Sequence, residues 1–242
     1  MPSDAIPVVC RTVTGRPPDV VDDLPHPDAT VEELVFTAWL AGGRAGVVSA
    51  YRRPAAGPGW YWAALARAGQ PLLHVADWDV PPRADPLLVK AHGLWAEHVC
   101  ERPMEQWTVT NETYAVALDD PVDALGRGYG TPSAMAWDLE WYSTAAAVSV
   151  DGGFTQDGVV HGLIELAGGP LELVEAPARR WHRWGPAELS PLVLPDAFAH
   201  TGVRAMFAFP DGSVADWVLA SDGWRSAPSQ IGPQERQGTR GG

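Results

Sequence analysis

Residues 155–185 read TQDGVVHGLIELAGGPLELVEAPARRWHRWG, and the reading of this stretch decides the fold. Gly158 to Leu166 predicts one strand and Leu171 to Ala176 another, joined at Gly168-Gly169. Glycine pairs tolerate the positive φ of tight hairpin turns. Arg179 to Trp184 predicts a third extended segment. Alternation along it puts Arg180, His182 and Trp184 on one face and Arg179, Trp181 and Arg183 on the other.

The rest of the chain follows the same β rhythm. Short apolar runs are interrupted by 25 Gly and 23 Pro, and no segment keeps a helical period for long. With 242 residues, 46% of them hydrophobic, a substantial core is expected. A formal net charge of −13 argues against nucleic acid and anionic membranes as partners, because phosphate is bound mainly by Lys and Arg. Twelve Trp, against five Tyr and five Phe, supply flat apolar surface for a core or an apolar pocket. Cys10 and Cys100 lie far apart with no CxxC, which favours a reduced, cytoplasmic chain. No window approaches the roughly 18 apolar residues of a membrane span, so no membrane insertion is expected.

Taken in order, residues 1–30, rich in Pro and Asp, predict an irregular arm that wraps the surface. A β half spans 31–118, with strands at Glu33 to Leu40, Gly46 to Tyr51, Trp60 to Ala66 and Pro71 to Asp79, and then Leu87 to Val99 divided at Gly93. Met104 to Thr110 and Glu112 to Leu118 continue it. The connection 119–131 starts with Asp119-Asp120-Pro121, a cap and a first-turn proline, and predicts one short helix. A second β half spans 132–225, with Ala134 to Tyr142, the 155–185 stretch, and a hairpin of Val203 to Phe209 and Val214 to Ala220 about Asp211-Gly212. Residues 226–242 hold almost nothing apolar and predict a disordered tail.

GVVHGLIEL followed by VEAPARRWHRWG resembles the lipocalin-like family of carotenoid 1,2-hydratases and decalin-forming Diels-Alderases, through Arg180, His182, Trp184 and Gly185 in an Arg-x-His-x-Trp-Gly pattern. WTVTNETYAVALDDPVDALGRGYG and AMAWDLEWY are similar to its uncharacterised actinobacterial branch. The resemblance implies an all-β fold of two lipocalin-like antiparallel halves packed together, with one short helix between them and an apolar ligand between or within them. Trp181 stands where the family often has Asp, and VRAMFAFPDG lacks the Tyr-x-Asp pair of the hydratases. Another reaction in the same scaffold is therefore expected rather than carotenoid hydration.

His182 is the sharpest catalytic candidate, since imidazole moves protons near neutral pH and Trp184 beside it would stack on an unsaturated substrate. The alternative is that Arg180, His182 and Trp184 form a structural clasp. Asp138 and Glu140 share a strand face with Tyr142, so their carboxylates either share a site or lie on a solvated face opposite Met135, Trp137, Leu139 and Trp141. Glu112 is a candidate acid on the face of Tyr114; Glu105, near Trp107, reads as surface. Trp107, Tyr114, Trp137, Trp141, Arg180 and Trp184 are the expected substrate-binding residues. His92, His98 and Cys100 lack a third ligand at useful spacing, and His161 reads as a hydrogen-bonded histidine. No metal and no cofactor are expected, for no nucleotide motif occurs.

These residues predict a cofactor-independent enzyme acting on an elongated apolar substrate, a polyene, terpenoid or polyketide, as a cyclase or cycloaddition catalyst that folds it in a Trp-lined pocket. The alternatives are a non-catalytic carrier, an isoprenoid hydratase or isomerase, and an interaction protein with tryptophan-rich outer faces. The partner is an apolar small molecule, with a homodimer also allowed.

Overall fold

The computed structural model describes residues 16–126, 128–185, 189–197 and 202–227. The tail expected over 226–242 falls almost wholly outside them, as do Cys10 and the first half of the arm. The architecture is all-β and antiparallel, with one large and one small sheet.

The large sheet is a meander. β1 (Val31–Trp39), β2 (Ala45–Pro54), β3 (Gly59–Arg67) and β4 (Leu72–Val80) pair in sequence order. β5 (Leu88–Ala91) and β6 (Leu94–Arg102) form the hairpin expected at Gly93 and pair onto the first part of β7 (Gln106–Leu118). The last part of β7 pairs with β4, through Leu72↔Leu118 and Leu73↔Ala117. β8 (Thr131–Ser143), the short β9 (Val148–Val150), β10 (Gly153–Leu166) and β11 (Leu171–Gly185) continue the sheet, and β11 pairs with β1. With β4 joined to β7 and β1 to β11, the sheet closes into a barrel and loses its long free edges.

The boundary expected at 119–131 therefore marks a turn and does not separate sheets. Asp120 accepts from Val122 N at 3.0 Å and caps a 3-10 helix over Pro121–Leu125, and the barrel continues on either side. The physical reason lies in β1. Its nine residues are all buried, so both faces and both edges need partners, and β2 supplies one edge while β11 supplies the other.

The 155–185 stretch is a two-strand hairpin in which β11 runs unbroken through Pro177. Pro177 sits one residue beyond the last β1 pair, Ala38↔Ala178, where β11 no longer pairs with β1. Gly169 takes φ +110 in the hairpin turn. Met104 to Leu118 likewise yields one strand, with a turn at 103–105.

β12 (Val203–Ala208), β13 (Val214–Ala220) and β14 (Gly223–Ser226), the last unforeseen, make the small sheet. It packs on the outside of β1–β3, where Trp39, Trp60, Trp62, Trp217 and Trp224 interleave with Phe207. Inside the barrel, Trp107, Trp137 and Trp141 pack with Phe36, Tyr61 and Met135. The space left beside Phe36, Val47, Ser49 and Trp141 is about 10 Å³, no more than one water needs. The tryptophans expected to line an enclosed pocket are instead its filling, and a tryptophan-rich outer face is not formed, although Trp78 is exposed.

Candidate functional site

The predicted site residues separate into two groups. Arg180, His182, Trp184, Trp107 and Trp141 gather at one end of the barrel. Glu112, Asp138 and Glu140 gather along its outer wall, whereas Trp137 faces the core.

The first group is built by alternation on β11, as expected. Arg180 and His182 point inward and are buried, whereas Trp181 and Arg183 face outward and are buried under other segments. Arg180 is 0% exposed. Its Nη1 and Nη2 donate to Asp23 at 2.5 and 2.8 Å, and Nε and Nη2 donate to Gln156 Oε1 at 3.2 and 2.7 Å. Its guanidinium lies 4.7 Å from the Trp141 ring centre, 5.0 Å from Phe154 and 5.5 Å from Trp107. A Cβ at residue 158 would meet the Trp141 ring at 2.5 Å, so glycine there lets the indole lie under the guanidinium.

Asp23, from the arm, is the missing anion. Besides Arg180 it accepts from Met104 N at 2.5 Å and from Trp107 Nε1 at 3.1 Å. Burial alone would raise its pKa, but bonds from His182 and Arg180 hold it at about 2. His182 Nε2 lies 2.9 Å from Glu32 Oε1, and its Nδ1 is 3.6 Å from Asp23. Burial pushes this imidazole down, but the two carboxylates outweigh it and raise its pKa. Burial also opposes ionisation of Glu32, yet His182, His26 and Arg53 hold it well below the usual carboxylate range. Trp184 stacks on His26 with ring centres 3.9 Å apart. On the outer side, Glu33 bridges Arg52 and Arg183 in a second clasp.

His26, Glu32 and His182 hold three possible ligand atoms within 4.8 Å, the three-group set found among the described residues. A cation already engages its one carboxylate: Arg53 binds Glu32 Oε2 at 2.5 Å. A divalent ion would have to compete with Arg53 for Glu32 and with the Glu32 bond for His182 Nε2, so the set fits a carboxylate–imidazole pair better than a metal. His98, a metal candidate in the sequence, lies inside the barrel, 3.4 Å from Ser49 Oγ, and burial pushes its pKa down to about 4.

The clasp has a definite pH signature. Asp23, depressed to about 2, contributes stability that is present above its unfolded value near 4 and lost as pH falls through about 2. His182, raised, contributes stability that is full below its unfolded value of about 6.5 and lost as pH rises through its folded value. Thermal melts across pH should thus lose the Asp23 contribution below about 4 and the His182 contribution above about 6.5, and climb between them, because buried His98 and His74 stay neutral down to about 4 in the fold but not in the unfolded chain. His182→Gln should flatten the alkaline limb; an alkaline limb of unchanged slope would remove His182 from that role.

The second group lies on the outer faces of β6–β8, β10 and β11, which the small sheet leaves uncovered. Here Met135, Trp137, Leu139 and Trp141 do face the core, and Asp138 and Glu140 point out. Register places Asp138 between Thr110 and Leu163, Glu140 between Thr108 and His161, and Glu112 beside Ala136, which also pairs with Glu165. Together with Glu172 these groups line a groove of about 820 Å³, whose accessible apolar parts are Trp95, Leu163 and Val174. At one end Tyr142 donates to Glu140 Oε2 at 2.8 Å and meets the His161 ring edge-on at 5.9 Å. The bond to Glu140 raises the phenol pKa. Carboxylate and phenol are thus hydrogen-bonded, and the imidazole packs against the phenol ring. Tyr114 belongs to neither group: it is 75% exposed and lines a separate cleft with His74 and His92.

Asp23, Glu32 and Gln156 were not legible as site residues. Glu165 and Glu172 alternate with apolar residues on their strands, a signal that marks an outward face but not a shared groove.

No described helix is long and apolar enough to cross a membrane. No family model matches the chain, and no curated protein matches it. Among solved structures, the crystal structure of CghA is similar with a TM-score of 0.36 and 13% identity, over 81% of this chain and 59% of that one.

Proposed function

We propose that the chain binds an elongated, largely apolar small molecule of the polyene, terpenoid or polyketide kind along the outer groove, in the cytoplasm, and acts on it without a cofactor. The supporting observation is the convergence of Glu112, Asp138 and Glu140 with Trp95 and His161 in one groove of about 820 Å³, within the usual range of ligand sites. Apolar side chains take the body of the ligand. The carboxylates favour a cationic or hydrogen-bond-donating head and repel an anionic one. Glu140, Tyr142 and His161 would pass a proton to or from the bound molecule, and an indole face would steady a cation formed during cyclisation. The Arg180 clasp serves this site by fixing the barrel end. The resemblance of the Arg-x-His-x-Trp-Gly segment to cyclase-containing proteins supports the same reading.

A carrier without catalysis is the second reading, favoured by the solvent exposure of Glu112, Asp138 and Glu140. Both readings predict the same binding preference. Long-chain amines and isoprenoid alcohols should change tryptophan fluorescence, and carboxylic acids of equal length should bind at least about tenfold more weakly, given like-charge repulsion in the groove. Silence across such a panel, or a preference for the acids, would overturn the proposal.

A further inference from the structure

A second cleft, of about 710 Å³, lies between the β1–β2 and β3–β4 turns, the start of the 3-10 helix and the small sheet. Its character is opposite to that of the groove. Arg44, Arg67 and Arg204 line it, with Gln70 and the glycine turn Gly42-Gly43, and Asp119 is the one carboxylate on its wall. In a chain of net charge −13, most arginines among the described residues are committed. Arg52, Arg53, Arg179, Arg180, Arg183 and Arg225 each pair with a carboxylate. Arg204 is bound to Asp216, its Nε donating to Oδ1 at 2.6 Å.

Arg44 and Arg67 make no side-chain hydrogen bond or ion pair among the described residues. Arg67 Nε is moreover buried without a hydrogen-bond partner. A desolvated guanidinium donor with nothing to donate to is costly, and a bound anion would supply its acceptor. The two arginines are held together by the hairpin: Ala68 N donates to Arg44 O at 2.8 Å, and Arg67 is the register partner of Ala45. Two arginines without an acidic partner thus line one cleft, with donors to offer an oxyanion.

We infer that this cleft binds a small dianionic molecule, a phosphate ester or a dicarboxylate, through Arg44 and Arg67. The inference is independent of the outer groove, because Arg44 and Arg67 are no part of it.

The test uses the full chain at constant ionic strength, with inorganic phosphate and succinate as probes and thermal unfolding as the readout. Either probe should raise Tm with a saturable midpoint, phosphate alone assigning a phosphoryl ligand and succinate alone a carboxylate. Arg67→Met keeps the apolar stem and should move that midpoint at least tenfold upward. Arg44→Gln, at an exposed position, should do the same and decides the matter if the first variant does not fold. No rise with either probe, or a midpoint unchanged in Arg44→Gln, overturns the inference.

Discussion

Asp23→Ala will cost about 3–5 kcal/mol of stability, the typical penalty for removing one partner of a buried ion pair. For a chain of this size that is a fall in Tm of roughly 6–20 °C. The size follows from how many donors converge on one carboxylate. Arg180 Nη1 and Nη2, Met104 N and Trp107 Nε1 all point at Asp23, in a site from which water is excluded. Truncation strands all of them, and leaves Arg180 with Gln156 Oε1 as its remaining acceptor and three aromatic rings as its surroundings. Adding Arg180→Met to Asp23→Ala should recover part of the loss, because it removes the uncompensated charge, though Met104 N and Trp107 Nε1 still lack their acceptor. Equilibrium denaturation of the three variants checks this. A loss below about 1 kcal/mol for Asp23→Ala, the scale of a surface pair, would mean that the arm is not docked by this carboxylate.

The double variant Asp138→Asn, Glu140→Gln should leave Tm nearly unchanged, since both side chains are exposed. Binding of the strongest amine or alcohol ligand should weaken about tenfold, the worth of two partly screened charge contacts, and the preference over acids should disappear. If the groove also performs acid–base chemistry, turnover of that ligand falls by a further factor of about 10²–10⁴. Weaker binding with no turnover in either protein assigns the carrier reading. Unchanged affinity and unchanged preference would remove the groove from the ligand's path altogether.

The sequence made the β pattern legible wherever burial is one-sided. Alternation of Met135, Trp137, Leu139 and Trp141 against Asp138 and Glu140 correctly separated inside from outside, and the same rule placed Arg180 and His182 on one face. It failed where the information is long-range. Period-two spacing says which way a side chain points but not which strand lies beside it, so nothing in 31–39 announced 178–185 as its neighbour. Asp23 illustrates this most clearly. In VDDLPHPDAT it is one acid among several in a turn-rich arm, and only the closed barrel shows that this one meets Arg180. The tryptophans were ambiguous for a related reason: an indole that lines a cavity and one that fills it have the same sequence pattern.

The seam between β1 and β11 bears on how this chain comes to be folded. Thr37↔Arg179 and Leu34↔His182 join residues almost at opposite ends of the barrel segment, and Asp23 reaches 157 positions along the chain to Arg180. Contacts of such separation form only after a large loop has been closed, which slows folding. A nascent chain emerging from the ribosome can assemble β1–β4 as a meander, but β1 keeps an unpaired edge until β11 has been made. During that interval the exposed edge, with Leu34, Val35 and Phe36 beside it, is open to pairing with another chain. Arg180 and His182 arrive on the strand that ends this exposure, so the motif that marks the fold in the sequence also marks the moment at which the barrel becomes safe from aggregation.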